Sequence, residues 1–390
     1  MSTSVNSATQ PSDLVRSAED RLPAMLADLE RVISLETPSA DKVAVARGAA
    51  DFAALLRERL GAEAELLTVD GVTHVRLRFG DSPPRVVLLN HQDTVWPHGT
   101  LARLPFSTAD GVLRGPGSFD MLTGAIMSVH AVAMLRDRLG EDGLAGLSIL
   151  ITGDEEVGSV TSSDLIRAEA ADAAAVFVME ASADGALKLE RKGTGIYTLV
   201  FRGRAAHAGL EPEKGINAGM ALALTLPLVA GLSDAEAGTT VVPTVISAGT
   251  TSNTVPAEAR VDVDVRARTA AELERVDAAI RALAADPQLD GSTTEVIGGI
   301  NRPPFEPEQS AALFDRATAL AAELGIAAPR GVAVGGASDG NFTAGDGIPT
   351  LDGLGAVGDG AHAEHEHALI AEIAPRTALL AALIADQLGR

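Results

Sequence analysis

Cysteine is absent from this chain of 390 residues, which excludes disulfide bonds, thiolate metal ligands and cysteine nucleophiles. Any bound metal ion must therefore be held by histidine, aspartate and glutamate side chains. Lysine is also scarce, and the sequence contains only Lys42, Lys188, Lys192 and Lys214. A lysine beside a candidate site is consequently more informative here than in an average protein.

Long apolar runs are missing as well. No stretch approaches the roughly 18 apolar residues that a transmembrane helix needs, and the first residues lack the basic start and apolar stretch of a secretory signal. We therefore expect a cytoplasmic protein. The net charge of −22 disfavours nucleic acids and anionic membrane surfaces as partners, because proteins bind both through basic patches.

The length and the hydrophobic pattern predict an α/β fold of two domains. Apolar runs at 85–89, 147–152 and 174–180 have the composition of buried parallel strands. A helical pattern from Gly124 to Leu135 lies between the first two of these runs. Strands that alternate with helices are typical of a layered α/β domain.

A different pattern begins near Gly193, where the apolar residues alternate as in a half-exposed antiparallel strand. Two helices and three further strands follow, the last of them near 293–298, in an order that suits a small α+β domain. We therefore predict an α/β domain with a central mixed sheet, formed by 1–192 and 303–390 and interrupted by an α+β domain at 193–302. A glycine-rich loop is expected at 331–340.

Residues that could carry chemistry follow the predicted strands, where ligands bind in open α/β sheets. His91 and Asp93 end one apolar strand, and their spacing places both side chains on the same side of an extended segment. Asp120 follows a glycine-rich turn at the start of a helix. Taken alone, the His-x-Asp pair could be structural, and Asp120 could be the N-cap of the helix.

The remaining candidates are also acidic residues or histidines near strand ends. Asp154, Glu155 and Glu156 follow the strand at 147–152, and three consecutive carboxylates usually form a solvated loop. Glu180 ends an apolar strand, where an acidic side chain needs a partner or water. His362 precedes the last helix.

Considered together, the candidates predict a metal site. Two histidines and three carboxylates suit a pair of divalent ions that share one carboxylate, and imidazole suits zinc. The five candidate ligands are His91, Asp120, Glu156, Glu180 and His362. A general base must take a proton from the attacking water, and Glu155, adjacent to a candidate ligand, fits that role.

The order of these motifs resembles the di-zinc aminoacylase and carboxypeptidase family, from about residue 15 to the end of the chain. The motifs that carry the resemblance are His91-x-Asp93, Gly117-x-x-Asp120, Asp154-Glu155-Glu156, Glu180 and His362. The resemblance implies that His91 and Glu180 complete one metal site, that Glu156 and His362 complete the other, and that Asp120 bridges the two. It also implies that Asp93 orients His91 and that Glu155 is the base. The α/β domain would be catalytic, and the domain at 193–302 would be a lid through which homodimers form.

Further matches concern substrate binding. Gly203–Gly209 resembles the lid motif of the family, whose histidine, here His207, polarises the scissile carbonyl and often comes from the partner subunit. Asn253 and Arg266 match lid residues that hold the α-carboxylate of the substrate. Lys188 and Arg302 fall where glutamate carboxypeptidases place cations for the side-chain carboxylate, although Lys188 could also be a solvated strand residue and Arg302 a loop arginine at the domain junction. The resemblance therefore implies release of a C-terminal amino acid, glutamate being expected, from an N-acyl or peptidyl substrate.

Some positions depart from the family pattern. Leu122 stands where relatives often carry lysine, two residues after the bridging aspartate, and this could alter metal affinity. Of the three histidines near the end of the chain, His362 is assigned as the ligand because Glu366 lies four residues later, and His365 and His367 are expected at the surface. Zinc is the expected metal, with cobalt or manganese as alternatives. An N-acyl amino acid deacylase of other specificity, similar to acetylornithine deacetylase or aminoacylase, and a non-catalytic metal-binding homologue remain the alternative functions.

Overall fold

The computed structural model describes residues 12–390, so the first eleven residues of the predicted catalytic domain lie outside the described part of the chain. The chain forms two compact units. Unit 1 runs to Glu190 and continues over Pro307–Ala333 and Ser338–Arg390, and unit 2 consists of Arg191–Glu306 and Val334–Ala337. Within residues 12–390, no helix combines the length and the apolar content needed to cross a membrane.

The structure contains helices and strands throughout both units. The helices are α1 (Ser12–Ile33), α2 (Lys42–Leu60), α3 (Leu122–Leu139), α4 (Ser163–Ala170), α5 (Ala218–Ala230), α6 (Ala270–Ala285), α7 (Ala311–Leu324), α8 (Gly340–Gly345) and α9 (Ile370–Leu388). The strands are β1 (Glu65–Val69), β2 (Val72–Arg78), β3 (Val86–His91), β4 (Ser107–Ala109), β5 (Val112–Arg114), β6 (Leu147–Thr152), β7 (Ala175–Val178), β8 (Leu187–Arg191), β9 (Gly193–Arg202), β10 (Thr240–Ala248), β11 (Glu258–Ala267), β12 (Thr293–Arg302), β13 (Gly331–Val334), β14 (Thr350–Leu351), β15 (Gly358–Asp359) and β16 (His367–Leu369).

Unit 1 is built on a six-stranded sheet in the order β1-β2-β6-β3-β7-β14. The strand β3 runs parallel to β6 and β7, whereas β2 pairs antiparallel with β1 and β6, so the predicted central mixed sheet is confirmed. His91 pairs with Thr152, and Leu89 pairs with Val178. Because these strands are parallel and in register, the segments after β3, β6 and β7 all leave the sheet at the same edge.

The two faces of this sheet are covered by different apolar layers. Alternate side chains of β3 show the division: Val86 and Leu88 join the cluster with α1, α2, α3 and α9, while Val87 and Leu89 join the cluster with α4 and α8. Every residue of α3 from Leu122 to Leu135 is buried. Burial on both faces accounts for the continuous apolar runs that the sequence shows in these strands.

Unit 2 contains a four-stranded antiparallel sheet in the order β10-β11-β9-β12. The helices α5 and α6 supply buried residues to one apolar cluster with this sheet, among them Leu222 and Val276. The element order of strand, helix, two strands, helix and strand is the one that the sequence predicts. The strands β10 and β11 form a hairpin, whereas the first strand, β9, pairs with both β11 and the last strand, β12.

Two segments differ from the sequence-based prediction. The strand β12 continues to Arg302 instead of ending near residue 298, and Gly298 allows this because its φ is +88° and an added Cβ would lie 2.2 Å from the Ile196 carbonyl oxygen. Part of the predicted glycine-rich loop, Gly331–Val334, forms β13 and pairs with β8. At Gly331 an added Cβ would lie 2.3 Å from Leu189 Cδ1, so glycine permits the close approach of the two strands.

Candidate metal centre

His91 is the last residue of β3, and its imidazole is almost completely buried. Nδ1 donates a hydrogen bond to the backbone carbonyl oxygen of Asp93 at 3.0 Å. In the neutral imidazole this bond places the ring proton on Nδ1, so that Nε2 can coordinate a cation, which is the usual arrangement of a metal-binding histidine. The Asp93 carboxylate is farther from the ring, with Oδ1 3.6 Å from Nδ1.

The Asp93 carboxylate instead contacts the acidic segment after β6. It accepts hydrogen bonds from the backbone amides of Glu155 at 3.1 Å and Glu156 at 3.2 Å, and from Ser39 Oγ at 2.7 Å. Burial raises the pKa of Asp93 to about 6, although the charge of His91 and the hydrogen bond from Ser39 act in the opposite direction. Asp93 therefore orients His91 through its backbone and positions the Glu155–Glu156 segment through its side chain.

Asp120 lies just before α3, and the helix begins at Leu122 with Met121 at the N-cap position. The alternative that Asp120 caps this helix is therefore wrong. The carboxylate of Glu366 holds the Asp120 segment, because it accepts hydrogen bonds from the backbone amides of Gly117 and Phe119, both at 2.9 Å, and of Asp120 at 3.1 Å. Burial raises the pKa of Glu366, although these hydrogen bonds lower it.

The predicted ligands come together around the Asp120 carboxylate. Its Oδ1 lies 3.3 Å from His91 Nε2, and its Oδ2 lies 3.4 Å from His362 Nε2. His91 Nε2 is also 3.6 Å from Glu180 Oε1, and His362 Nε2 is 3.0 Å from Glu156 Oε2. Each oxygen of one carboxylate thus faces a different imidazole, and each imidazole faces a second carboxylate.

These spacings suit metal ions of the size of zinc. Two ligand atoms about 2.1 Å from a tetrahedral ion are about 3.4 Å apart, and the four distances scatter around this value. Glu156 Oε1 is buried and has no hydrogen-bond partner among residues 12–390, as expected for an oxygen that belongs to a metal site. The donor set therefore fits a pair of divalent ions.

The charges of the cluster favour cations in the same place. Burial opposes the charged form of His91, but hydrogen bonds with Asp120 and Glu180 raise the pKa of this imidazole well above its ordinary value. Hydrogen bonds with Asp120 and Glu156 likewise raise the pKa of His362 to about 10. Burial raises the pKa of Asp120, yet the hydrogen bonds with the two histidines outweigh this effect and hold it far below its usual range.

Glu155 begins a short 3₁₀ turn directly after Asp154, and it is 8% exposed. A Glu155 oxygen lies within 4.8 Å of ligand atoms of both His91 and Glu180. The predicted base is therefore beside the ligand cluster. Lys188 on β8 also reaches this cluster, since its Nζ is 3.9 Å from Glu180 Oε2 and its side chain is only 14% exposed. The alternative that Lys188 is a solvated strand residue does not describe this position.

The substrate-binding candidates of unit 2 occupy three places within that unit. His207 is exposed, and its neighbour Ala208 donates a backbone hydrogen bond to the Asn253 carbonyl oxygen at 2.9 Å, so these two candidates lie close together. Arg266 on β11 forms an ion pair with Asp264, with Nε 2.9 Å from Oδ1. Arg302 is 7% exposed at the end of β12.

The segment between β15 and β16 presents His362, which has a left-handed φ of +62°. His365 is exposed, as expected, whereas His367 is partly buried and its Nδ1 donates a hydrogen bond to the His365 carbonyl oxygen at 2.9 Å. Leu122 is buried at the start of α3. It contributes to the apolar core of unit 1.

Several residues that position the site were not identified from the sequence. Glu366 was noted only for its spacing from His362, yet it also accepts a hydrogen bond from Trp96 Nε1 at 2.7 Å. Asp154, the first carboxylate of the acidic run, faces inward and accepts hydrogen bonds from the Thr161 amide and the Ser162 hydroxyl. The sequence signal for this role of Asp154 is the pair Thr161 and Ser162, whose hydroxyl groups follow the acidic run.

Known proteins show the same fold and sequence pattern. Residues 87–386 match the sequence profile of peptidase family M20/M25/M40. The chain is 30% identical over 389 residues to carboxypeptidase G2 from Pseudomonas sp. (strain RS-16), covering 96% of this chain and 92% of that protein. It is 29% identical over 324 residues to succinyl-diaminopimelate desuccinylase from Methylobacterium radiotolerans, covering 77% of this chain and 81% of that protein.

A solved structure extends the similarity to the whole fold. The M20 family metallo-carboxypeptidase Sso-CP2 from Sulfolobus solfataricus matches with a TM-score of 0.72 and 15% identity, covering 94% of this chain and 99% of that chain. The predicted fold class and the resemblance to the aminoacylase and carboxypeptidase family are confirmed.

Proposed function

The chain belongs to peptidase family M20/M25/M40 and is a metal-dependent hydrolase of amide bonds, and we propose that it releases a C-terminal glutamate from an N-acyl or peptidyl substrate. The observation that carries the catalytic part of this proposal is the position of Asp120, whose two oxygens lie 3.3 Å and 3.4 Å from two different imidazoles. A carboxylate placed in this way can bridge two cations.

The proposed ligands divide into two sets that share Asp120. His91 and Glu180 would hold one ion, and His362 and Glu156 would hold the other. Zinc is the proposed metal because both sets combine an imidazole with carboxylates and contain no thiolate. Cobalt and manganese are also compatible with these ligands.

Glu155 would act as the general base. When bound, the metal ions lower the pKa of a water molecule and polarise the scissile carbonyl. The Glu155 carboxylate would take the proton from the attacking water and return it to the leaving nitrogen, which releases the amino acid. Hydrogen bonds from the Glu155 and Glu156 amides to Asp93 would keep this carboxylate in place.

Substrate recognition is proposed to involve two pairs of residues. Arg266 with Asn253 would hold the α-carboxylate, and Lys188 with Arg302 would hold the side-chain carboxylate. Arginine can form two parallel hydrogen bonds with a carboxylate, and lysine adds a compact positive charge. A protein with a net charge of −22 repels a dianionic substrate at long range, so local cations are needed to bind it.

Replacing Lys188 and Arg302 together by methionine should remove most of the preference for glutamate. The wild-type protein, supplied with zinc or cobalt, is expected to hydrolyse N-acyl-glutamate at least about tenfold better than N-acyl-leucine, because about 1.4 kcal/mol is a modest contribution for a charged contact. The double variant should keep its activity towards N-acyl-leucine. The ratio of kcat/KM for the two substrates is the measurement.

A control variant loses the same two types of cation elsewhere. Lys42 and Arg47 are both exposed on α2, and replacing both by methionine should leave the kcat/KM ratio unchanged. A wild-type preference for apolar amino acids would instead support the N-acyl amino acid deacylase of other specificity. Bound metal without hydrolysis of any N-acyl amino acid would support the non-catalytic homologue.

We also propose a homodimer through unit 2. The edge strand β10 exposes Val242, Val245 and Ile246 by 49%, 62% and 51%, and α5 exposes Met220 by 50%. Exposed apolar side chains on an edge strand are unusual in a monomer and are often covered by another chain. His207 would then polarise the scissile carbonyl, either in its own chain or in the partner subunit. The cytoplasmic location stays a prediction.

Mixing two inactive variants should show whether the site is shared between subunits. His207→Ala removes the polarising imidazole, and Glu155→Gln removes the base. If His207 serves the partner subunit, each mixed dimer contains one complete site out of two and should recover up to about half of the activity of a wild-type dimer. Light scattering would establish the dimer, and differently tagged chains would verify mixing. Verified mixed dimers without recovered activity would show that each chain builds its own site.

A further inference from the structure

The segment after β6 carries both the proposed base and a proposed ligand, and a buried hydrogen-bond network holds it. Asp154, 2% exposed, accepts hydrogen bonds from the Thr161 amide at 2.7 Å, from Thr161 Oγ1 at 2.8 Å and from Ser162 Oγ at 2.6 Å. Asp154 therefore closes the segment into a loop and does not face the ligand cluster. None of these bonds involves a proposed metal ligand.

His74 on β2 joins this network from the neighbouring strand. Its side chain is fully buried. The backbone amide of Gly153 donates a hydrogen bond to Nδ1 at 3.2 Å, and Nε2 lies 3.1 Å from Thr161 Oγ1. The strand β2 pairs with β6, so His74 is anchored in the central sheet from which the loop departs.

The hydrogen bonds determine the tautomer of His74. An amide can only donate, so Nδ1 must accept and the ring proton must be on Nε2. Thr161 Oγ1 donates its own proton to Asp154 Oδ2, so it accepts the proton of Nε2. Burial lowers the pKa of the His74 imidazole, although the negative charges of Asp154 and Asp339 act in the opposite direction. The lowered pKa favours the neutral form.

Gly153 explains why the contact is close. An added Cβ would lie 2.6 Å from Val45 Cγ1 and 2.8 Å from the Thr73 carbonyl oxygen, so only glycine lets the backbone pass this near to β2. The backbone between Gly153 and Glu155 consists of a single residue. A displacement of the Gly153 backbone would therefore also displace Glu155.

We propose that His74 is a positioning residue. It accepts a hydrogen bond from the Gly153 amide and donates one to Thr161 Oγ1, and these two bonds hold the loop that presents Glu155 and Glu156. This inference rests on the proposed function only in the roles of Glu155 and Glu156. The contact pattern of His74 is independent of the substrate. A displacement of about 1 Å at a reacting group can cost about 10²-fold in rate.

Two substitutions of His74 separate its hydrogen bonds from its bulk. His74→Leu keeps a side chain of similar size but loses both hydrogen bonds. His74→Asn can place Oδ1 near the position of Nδ1, where it can accept the hydrogen bond from the Gly153 amide. In His74→Leu, kcat should fall about tenfold to 10²-fold, with KM changed by less than about threefold. Hydrogen–deuterium exchange of the amides between 153 and 161 should become faster. His74→Asn should restore slow exchange and most of kcat.

His130→Leu is the matched control. His130 is also fully buried in unit 1, on α3, but it contacts Asp28 at 2.8 Å and not the acidic loop. This variant should have a lower melting temperature and unchanged exchange between residues 153 and 161. If His74→Leu does not fold, Thr161→Val tests the second bond of the same network, and it should accelerate exchange in the same peptide.

The exchange measurement does not require any substrate, so it separates this inference from the proposed function. Unchanged exchange in a folded His74→Leu, or equal exchange in His74→Leu and His74→Asn, would overturn the positioning role. Faster exchange in His74→Leu without any hydrolysis by the wild type would retain the positioning role and reject the proposed function.

Discussion

Replacing Glu155 by glutamine should lower kcat about 10²–10⁴-fold while the bound metal remains, because the amide keeps the shape of the side chain and cannot accept the proton of the attacking water. Glu155 is buried beside His91 and Glu180, and its amide is held by the Asp93 carboxylate. The hydrogen bond from the Glu155 amide to Asp93 does not involve the side chain, so the variant keeps it. Turnover of an N-acyl-glutamate and metal content by elemental analysis are the two measurements.

The neighbouring residue provides the contrast. Glu156→Gln makes the same chemical change one position later, at the carboxylate that lies 3.0 Å from His362. This variant should lose bound metal as well as activity. If Glu155→Gln keeps near wild-type turnover, Glu155 is not the base. If both variants lose metal equally, Glu155 belongs to the ligand set.

Replacing Asp120 by asparagine should prevent the metal centre from forming. The variant loses the negative charge that both imidazoles face, and the amide nitrogen cannot bind a cation. We expect the metal content to fall by at least one ion per chain. Activity should fall about 10³-fold or more, since a metal ion contributes several kcal/mol to transition-state stabilisation and about 4 kcal/mol corresponds to 10³-fold.

Asp28→Asn controls for the loss of a buried carboxylate. Asp28 is 4% exposed and contacts His130 at 2.8 Å and Arg59 at 2.6 Å, away from the cluster. Its replacement should reduce thermal stability, because it leaves buried partners unpaired, and it should not change metal content. A fully metallated and active Asp120→Asn protein would contradict the bridging role.

Much of the fold was predictable because it depends on local patterns. The run at 147–152 is mostly apolar, and it forms β6 with the same limits because every residue of that strand is buried. The order of strands and helices in the second domain, which includes β11 and α6, was also predicted, since alternating and helical periodicities are properties of neighbouring residues. The β13 strand was missed because its formation depends on the close approach of Leu189.

The identity and order of the polar residues at the strand ends were likewise properties of the sequence. Parallel strands in register bring the ends of β3, β6 and β7 to one edge, so His91, Glu155 and Glu180 could be expected near one another. The absence of cysteine by itself restricts the possible ligands to imidazoles and carboxylates.

Only the tertiary structure decided which atoms face one another. It directed the Asp93 carboxylate to the Glu155 and Glu156 amides, placed the Glu366 carboxylate at the Asp120 amide, and brought His74 to Gly153. Each of these contacts joins residues that are distant in the sequence. Hydrophobic periodicity describes the face on which a side chain lies, whereas a hydrogen bond depends on distances and angles that packing of the whole unit determines.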